Sequence, residues 1–365
     1  MGQDTGESKA GNGERGAFWR TLGATLALAA ALVGGAEIAA RSGFMRRALP
    51  APCIGSGHPR LDVKLELLDR FVREEGRLDC LFLGASDVNL GINPEEFAGA
   101  YAFAGGRRPV TFNFGLDGFV PPATAVLAGI LVEKYRPHWL VWGVTPASFS
   151  GDVRKRNDQI VRGHPWFRHW TGSPNFEGWL IEHSAAYRYF LRLRIWLERP
   201  NYSRTLSLRE AQISRAGVAD WKKARLVDED AGGGFEKAVR QHRAPEDFSP
   251  DLGSLAVLDA ISGLGERTQV LVLEIPVLPR FYRLFANGAF DYQGALRSIR
   301  SRAERRGALF VSPPPGLVPE QGFANLNHMN ALGAEVLSRW LALQVKREVD
   351  AGRLDPPPGS GEGGS

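Results

Sequence analysis

From about residue 60 onward, short and continuously apolar runs alternate with stretches of helical spacing, and few architectures accept that rhythm. The runs are LDCLFLGAS (78–86), PVTFNFGLDG (109–118), PHWLVWGVTP (137–146), TQVLVLEIPV (268–277) and ALFVS (308–312). Between them, ATAVLAGILVEKY (123–135), YQGALRSIRSRAERRG (292–307, with a glycine stop) and NALGAEVLSRWLALQVKREV (330–349) carry helical patterns. Strands that face water on one side alternate apolar with polar residues. These runs do not, so they predict strands buried on both faces, which means a parallel sheet covered by helices. The fold class expected is α/β, over about 60–349.

The rhythm breaks between about 150 and 265. That stretch is rich in Trp and Arg, and FEGWLIEHSAAYRYFLRLRIWLERP (176–200) has helical spacing with aromatics and arginines interleaved. A helical insertion capping the sheet at its functional edge is expected there. A membrane-facing or polymer-binding surface is the sharper alternative, because Trp and Arg suit interfaces and glycan stacking.

The ends are different in kind. Residues 1–16 and 355–365 are Gly-rich and polar and predict disordered tails. Thr21 to Ala36 is a run of 16 uncharged residues, short against the roughly 20 that a spanning helix needs. Phe18 and Trp19 before it, and Ile38 to Ala40 after it, extend it to an anchor over 17–41. The length also fits the apolar region of a cleaved signal peptide, but the long polar lead and the lack of a clear Ala-x-Ala site favour an uncleaved single-pass anchor. Basic residues flank both ends, so charge alone does not orient it.

Composition excludes little else. The net charge of +5 is spread along the chain with no Lys/Arg block, which argues against a nucleic-acid partner and leaves anionic glycans or lipid headgroups. Two cysteines, Cys53 and Cys80, make no disulfide framework. His164 and His169 lack a companion pair at ligand spacing, so no metal and no cofactor are expected. His138, just before a strand, reads as structural, and Glu274, ending an apolar strand, needs a partner if buried.

In open parallel sheets, ligands sit beyond the carboxyl ends of the strands. There the sequence places Ser86 after the first strand, Gly115 and Gly118 after the second, and Thr145 after the third, with Asn325 and His328 just before the last helix. Ser86 is either a helix N-cap or a nucleophile. A nucleophilic serine needs a histidine base within hydrogen-bond reach, a group that orients the ring, and preorganised donors for the oxyanion.

Gly84-Ala85-Ser86-Asp87, Asn113-Phe114-Gly115-Leu116-Asp117-Gly118, and His328 followed by Asn330 and Gly333 together resemble the SGNH/GDSL hydrolase superfamily. The match is best to its membrane-anchored cell-envelope branch, the DltD-like and AlgJ/AlgX-like proteins, in which an anchor ending Glu-x-x-x-Arg, as Glu37 and Arg41 stand here, often precedes the catalytic domain. The resemblance covers about 80–150 and 268–345. It implies a flavodoxin-like three-layer α/β/α sandwich facing the outside of the membrane. It also implies a serine esterase or O-acyltransferase acting on acyl esters of an envelope polysaccharide, with a membrane-bound O-acyltransferase as possible partner. Ser86 would be the nucleophile and an oxyanion donor, Gly118 a second donor, and His328 the base. Two positions depart from the pattern. Thr145 stands where the family's oxyanion Asn would be, and Asn325 where its Asp precedes the histidine. Asp87 and Asp117 are the remaining carboxylates that could supply a charge. A catalytically degenerate protein that binds acylated glycan or scaffolds the acyltransferase is the alternative expectation.

Overall fold

The structure, a computed structural model, describes residues 10–119, 121–149, 157–173, 175–219, 250 and 252–358. The parts of the expected tails at 1–9 and 359–365, and of the insertion at 150–156 and 220–249, lie outside the described residues.

Five strands, β1 (Cys80–Gly84), β2 (Thr111–Gly115), β3 (Trp139–Val144), β4 (Gln269–Glu274) and β5 (Leu309–Val311), form one sheet in the order β2-β1-β3-β4-β5, with every pairing parallel. All five apolar runs are therefore strands, and the runs extend past each strand because the flanking residues turn out of the sheet. Side chains alternate between two cores. Leu81, Leu83, Phe112, Phe114, Leu140 and Trp142 face one, while Cys80, Phe82, Trp139, Val141, Leu271 and Leu273 face the other. This alternation is why the runs had to be apolar throughout.

The helices divide accordingly. After α1 (Ala10–Arg41) and α2 (Gly43–Ala48), helix α3 (Pro59–Glu75) packs on the first face, as does α6 (Pro121–Tyr135). On the second face lie α4 (Ser86–Gly91) and α5 (Pro94–Phe103). The insertion supplies α7 (Asp158–Gly163), α8 (Pro165–Trp170), α9 (Phe176–His183), α10 (Ala185–Glu198) and α11 (Pro200–Gln212). Two further helices, α12 (Leu252–Ser262) and α13 (Ala289–Arg305), join the first face, and α14 (Ala331–Asp350) closes the second. The result is a three-layer α/β/α fold. Cys53 and Cys80 are free, buried and in opposite cores, so the sheet separates them.

α3 was not legible as a helix because its face carries charges that the fold buries. Asp69 on α3 accepts from Arg188 of α10 (2.7 Å) and pairs with Lys134 of α6 (3.0 Å), and Lys134 reaches Glu182 of α9 (2.7 Å). Burial opposes ionisation of Asp69, but Lys134, Arg188 and the Tyr135 hydroxyl outweigh it and hold the carboxyl at about 2. This buried ion network ties the insertion to the first helical layer.

The N-terminal helix is longer than the uncharged run. Gly16–Arg41 holds an 18-residue stretch with a mean hydropathy of 1.7 and is long and apolar enough to cross a membrane. Residues 10–16, expected as tail, are already helical. At the other end of the chain, the expected tail begins in contact with the fold: the backbone carbonyl of Asp355 accepts from the Trp139 indole (3.1 Å) and meets the His138 ring (2.9 Å).

Candidate functional site

β1 ends at Gly84, and α4 begins at Ser86 on the crevice between β1 and β3, where the strand order reverses. Backbones crowd here. A Cβ on Gly115 would lie 2.3 Å from the backbone nitrogen of Asn89, so β2 can approach α4 only with glycine at that position. Ser86 is not a cap. The N-cap is Ala85, which makes no side-chain bond, while the adjacent Asp87 carboxylate accepts from the Val88 N–H (2.8 Å). The Ser86 hydroxyl instead lies 2.7 Å from Nε2 of His328. Burial raises the Asp87 carboxyl to about 6.

His328 sits in a tight loop, pinned by the Phe323–Met329 bridge and by a bond from the Ala324 N–H to its carbonyl (2.8 Å). Burial lowers its pKa, and the Asp117 charge opposes that. The ring is therefore neutral at pH 7. Its tautomer follows from Asn325. The Asn325 Oδ1 accepts from the backbone N–H of His328 (2.9 Å) and of Asn327 (3.2 Å), which assigns the amide orientation, because the flipped amide would turn its NH2 against two donors. Nδ2 then faces His328 Nδ1 at 2.9 Å and can only donate to it. Nδ1 is thus an acceptor, the ring proton resides on Nε2, and Nε2–H donates to Ser86. A general base needs the opposite arrangement, with Nδ1 protonated and Nε2 bare. Bringing it about requires turning the amide and giving up both backbone bonds, each worth about 1 kcal/mol net and more if left unsatisfied.

Beside this dyad lies a polar assembly that sequence reasoning missed. Asp117 Oδ2 pairs with Arg60 (2.6 Å), its Oδ1 accepts from Asn89 Nδ2 (2.9 Å), and its carbonyl contacts the His58 ring (2.9 Å). Behind it, Lys64 is fully buried and donates to Asn89 Oδ1 (2.7 Å) and to the carbonyls of Asn113 (3.0 Å) and Gly115 (2.7 Å), while burial drives its pKa far down. The Asn113 side chain donates in turn to the Val88 and Ile92 carbonyls. Arg60 and Lys64 on α3 therefore clamp the loop from Gly115 to Gly118, and Gly118 takes the left-handed φ of 67° that ends it. Of the two carboxylates left open by the sequence, Asp117 is the one whose charge reaches His328, but it is already engaged by Arg60. Thr145, at the end of β3, is buried with its hydroxyl 3.1 Å from that of Ser148.

Along the same edge of the sheet, a groove of about 790 Å3 opens between the segments that follow β4 and β5. Arg280, Arg297 and Arg300 line it with Tyr282, Tyr292 and the Pro313–Pro315 run, and Phe323, on the His328 loop, borders it. Glu274 on its floor is bonded to the Ser312 hydroxyl and to Tyr292 (3.4 Å), and burial raises its carboxyl. His164 caps α8 through the Trp166 N–H (3.3 Å) and meets the Ile54 carbonyl (3.1 Å). Among the described residues, no group of three or more His, Cys, Asp or Glu is arranged to hold a metal.

A scan against protein-family models, a search of curated proteins and a search of solved structures return no match to this chain.

Proposed function

We propose that this chain is a membrane-anchored SGNH-type serine esterase or O-acyltransferase that acts on acyl esters of an extracytoplasmic polymer, with Ser86 as nucleophile. The observation that carries the proposal is the 2.7 Å contact between Ser86 Oγ and His328 Nε2 at the switch point of a parallel sheet. In the acylation step, the Asn325 amide first turns so that its Oδ1 accepts from Nδ1–H and Nε2 is bare. Oγ then bonds to the acyl carbon, the hydroxyl proton passes to Nε2, and the carbonyl oxygen becomes an oxyanion, for which the family resemblance assigns the backbone N–H groups of Ser86 and Gly118 as donors. Collapse expels the polymer hydroxyl, which takes the proton from Nε2. The acyl-serine is then cleared by water in hydrolysis or by a second sugar hydroxyl in transfer. The arginine- and tyrosine-lined groove that Phe323 of the His328 loop borders suits an extended, anionic glycan, since Tyr stacks on sugar rings and Arg pairs with carboxylate or phosphate. A helix apolar enough to span a bilayer supports the membrane location, and the resemblance to the envelope branch supports placing the domain outside. That branch also suggests a membrane-bound O-acyltransferase as partner.

Asn325 favours a second function, a binder of acylated glycan that no longer turns over, because its amide holds His328 in the tautomer that cannot accept the serine proton. A fluorophosphonate probe separates the two. Labelling of the folded protein that disappears in Ser86→Ala and falls strongly in His328→Ala is expected of the enzyme, whereas well-folded protein that takes up no probe would leave only the binder.

A further inference from the structure

We infer that the outer face of α9 and α10 is a membrane seat: it lies in the lipid headgroup and upper acyl region beside the anchor, so that the insertion rests on the bilayer surface.

The anchor is not a loose tether. Glu37, in its last turns, accepts through Oε1 from the Ala185 N–H (2.9 Å) and through Oε2 from the Ala186 N–H (3.1 Å) and the Ser184 hydroxyl (2.8 Å), so an anchor side chain caps the N-terminus of α10. Arg41 bonds Glu37 (2.6 Å) and donates to the His183 carbonyl at the end of α9 (2.8 Å). The Glu-x-x-x-Arg pair thus fastens the membrane end of the chain to the junction of α9 and α10. Whatever emerges from that junction lies at the depth where the anchor leaves the lipid.

What emerges is apolar. α10 is hydrophobic on two opposite sides. Leu191 and Ile195 face the core with the buried Arg188 and Arg192, while Phe190, Leu193 and Leu197, at i, i+3 and i+7, project outward, each more than half exposed, and Trp196 stands beside them. A helix that is apolar on both sides belongs in a core or in lipid, and the outer side here has no protein over it among the described residues. On α9, Phe176 and Trp179 stack (6.0 Å between centroids, 11° between planes) and remain exposed. Phe44 of α2 is exposed just past the anchor's end, with Arg46 and Arg47 exposed beside it. Exposed aromatics with arginines around the foot of a spanning helix are the composition of a bilayer interface, where indole rings lie at headgroup depth and guanidinium groups reach anionic phosphates. Continuity with the anchor selects lipid over a soluble protein as the occupant.

The inference rests on α1 crossing the bilayer, and the test keeps the two apart. Full-length protein is reconstituted in vesicles of phosphatidylcholine with phosphatidylglycerol, carrying one spin-labelled cysteine at a time: Ala29→Cys in α1, Leu193→Cys on the outer face of α10, and Ser301→Cys on α13 as a water-exposed control. Cys53 and Cys80 are buried and leave the introduced thiol as the accessible one. Collision rates with oxygen and with a water-soluble nickel chelate are compared. The label at 193 is expected to shift toward oxygen relative to the label at 301, corresponding to a depth of about 5–10 Å below the headgroup boundary. A label at 193 as open to nickel as that at 301, while 29 is deep in lipid, overturns the seat and leaves the anchor. A label at 29 that is itself open to nickel overturns the membrane reading of α1 and the seat with it. Shielding of 193 from both reagents with spin–spin broadening replaces lipid by a second copy of the chain and also overturns the proposal.

Discussion

Replacing Asn325 with Asp tests the tautomer directly, because the loop is already shaped for a carboxylate. One oxygen keeps the bonds from the N–H groups of His328 and Asn327 at 2.9 and 3.2 Å, and the second takes the place of Nδ2, 2.9 Å from Nδ1. Nδ1 must then carry the proton, and Nε2 becomes a bare acceptor for the Ser86 hydroxyl at 2.7 Å. The reverse change in a serine triad costs about 10⁴ in kcat, or about 5 kcal/mol of transition-state stabilisation. A half-buried carboxylate pays some desolvation, so the expected gain in esterase turnover for Asn325→Asp is about 10²- to 10⁴-fold. The pH profile moves as well. Burial keeps the His328 pKa below its ordinary value, and an adjacent carboxylate favours the imidazolium, so the ascending limb of the rate profile shifts to higher pH in the variant. The assays are p-nitrophenyl ester hydrolysis across pH, with fluorophosphonate labelling rates and 15N spectra of the histidine ring. In the unaltered protein, Nδ1 is expected as a bare nitrogen and Nε2 as N–H. A ring protonated on Nδ1 in the unaltered protein, or a variant in which neither turnover nor tautomer changes, would refute the reasoning.

Three further outcomes follow from buried groups. The Asp87 carboxyl is raised to about 6 against an ordinary 3.8, so the folded state binds more protons than the unfolded chain between those values and loses stability as pH rises through them. Asp87→Asn is therefore expected to be near neutral below pH 4 and to stabilise by up to about 3 kcal/mol above pH 7, read from denaturant midpoints at several pH values; a gain that does not depend on pH would contradict this. Lys64→Met leaves Asn89 Oδ1 and the Asn113 and Gly115 carbonyls without their donor in a closed site, at a cost of about 3 kcal/mol or more, and probe labelling of Ser86 is expected to slow even where the protein stays folded. Arg188→Met leaves the buried Asp69 and Glu182 to share Lys134 and is expected to cost about 3–5 kcal/mol, with faster amide exchange concentrated in α9 and α10 if the ion network is what ties down the insertion.

What could be read from residues alone divides along a physical line. The five strands were legible because burial on both faces leaves no polar alternation to confuse, and the meeting of Ser86 with His328 could be anticipated because ligands in such a sheet sit beyond the strand ends. α3 was not, since Arg60, Asp62, Lys64 and Asp69 on a helix read as a solvated surface until their partners arrive from Asp117, Tyr202, Asn89 and Arg188, far along the chain. Asn325 was visible as a departure, but which of its two amide atoms meets the imidazole depends on two backbone N–H groups that only the folded loop brings together. Glu37 was visible only as part of a Glu-x-x-x-Arg pattern, and the fold makes it a helix cap for a segment almost 150 residues away.

The amide of Asn325 also has a chemical lifetime. Hydrolysis of that one side chain to a carboxylate adds a single mass unit, keeps an oxygen for the loop's two backbone N–H bonds, and on the proposed function would give Ser86 and His328 the orientation of a conventional triad. With a rate ratio of about 10² to 10⁴ between the two forms, a sample in which about 1% of molecules had lost the amide would draw between about half and about 99% of its turnover from that fraction. Specific activity would then rise with storage at alkaline pH and track the deamidated peptide in a mass spectrum, while active-site titration counted only a trace of fast sites. On the proposed function, the age of a preparation becomes a kinetic variable.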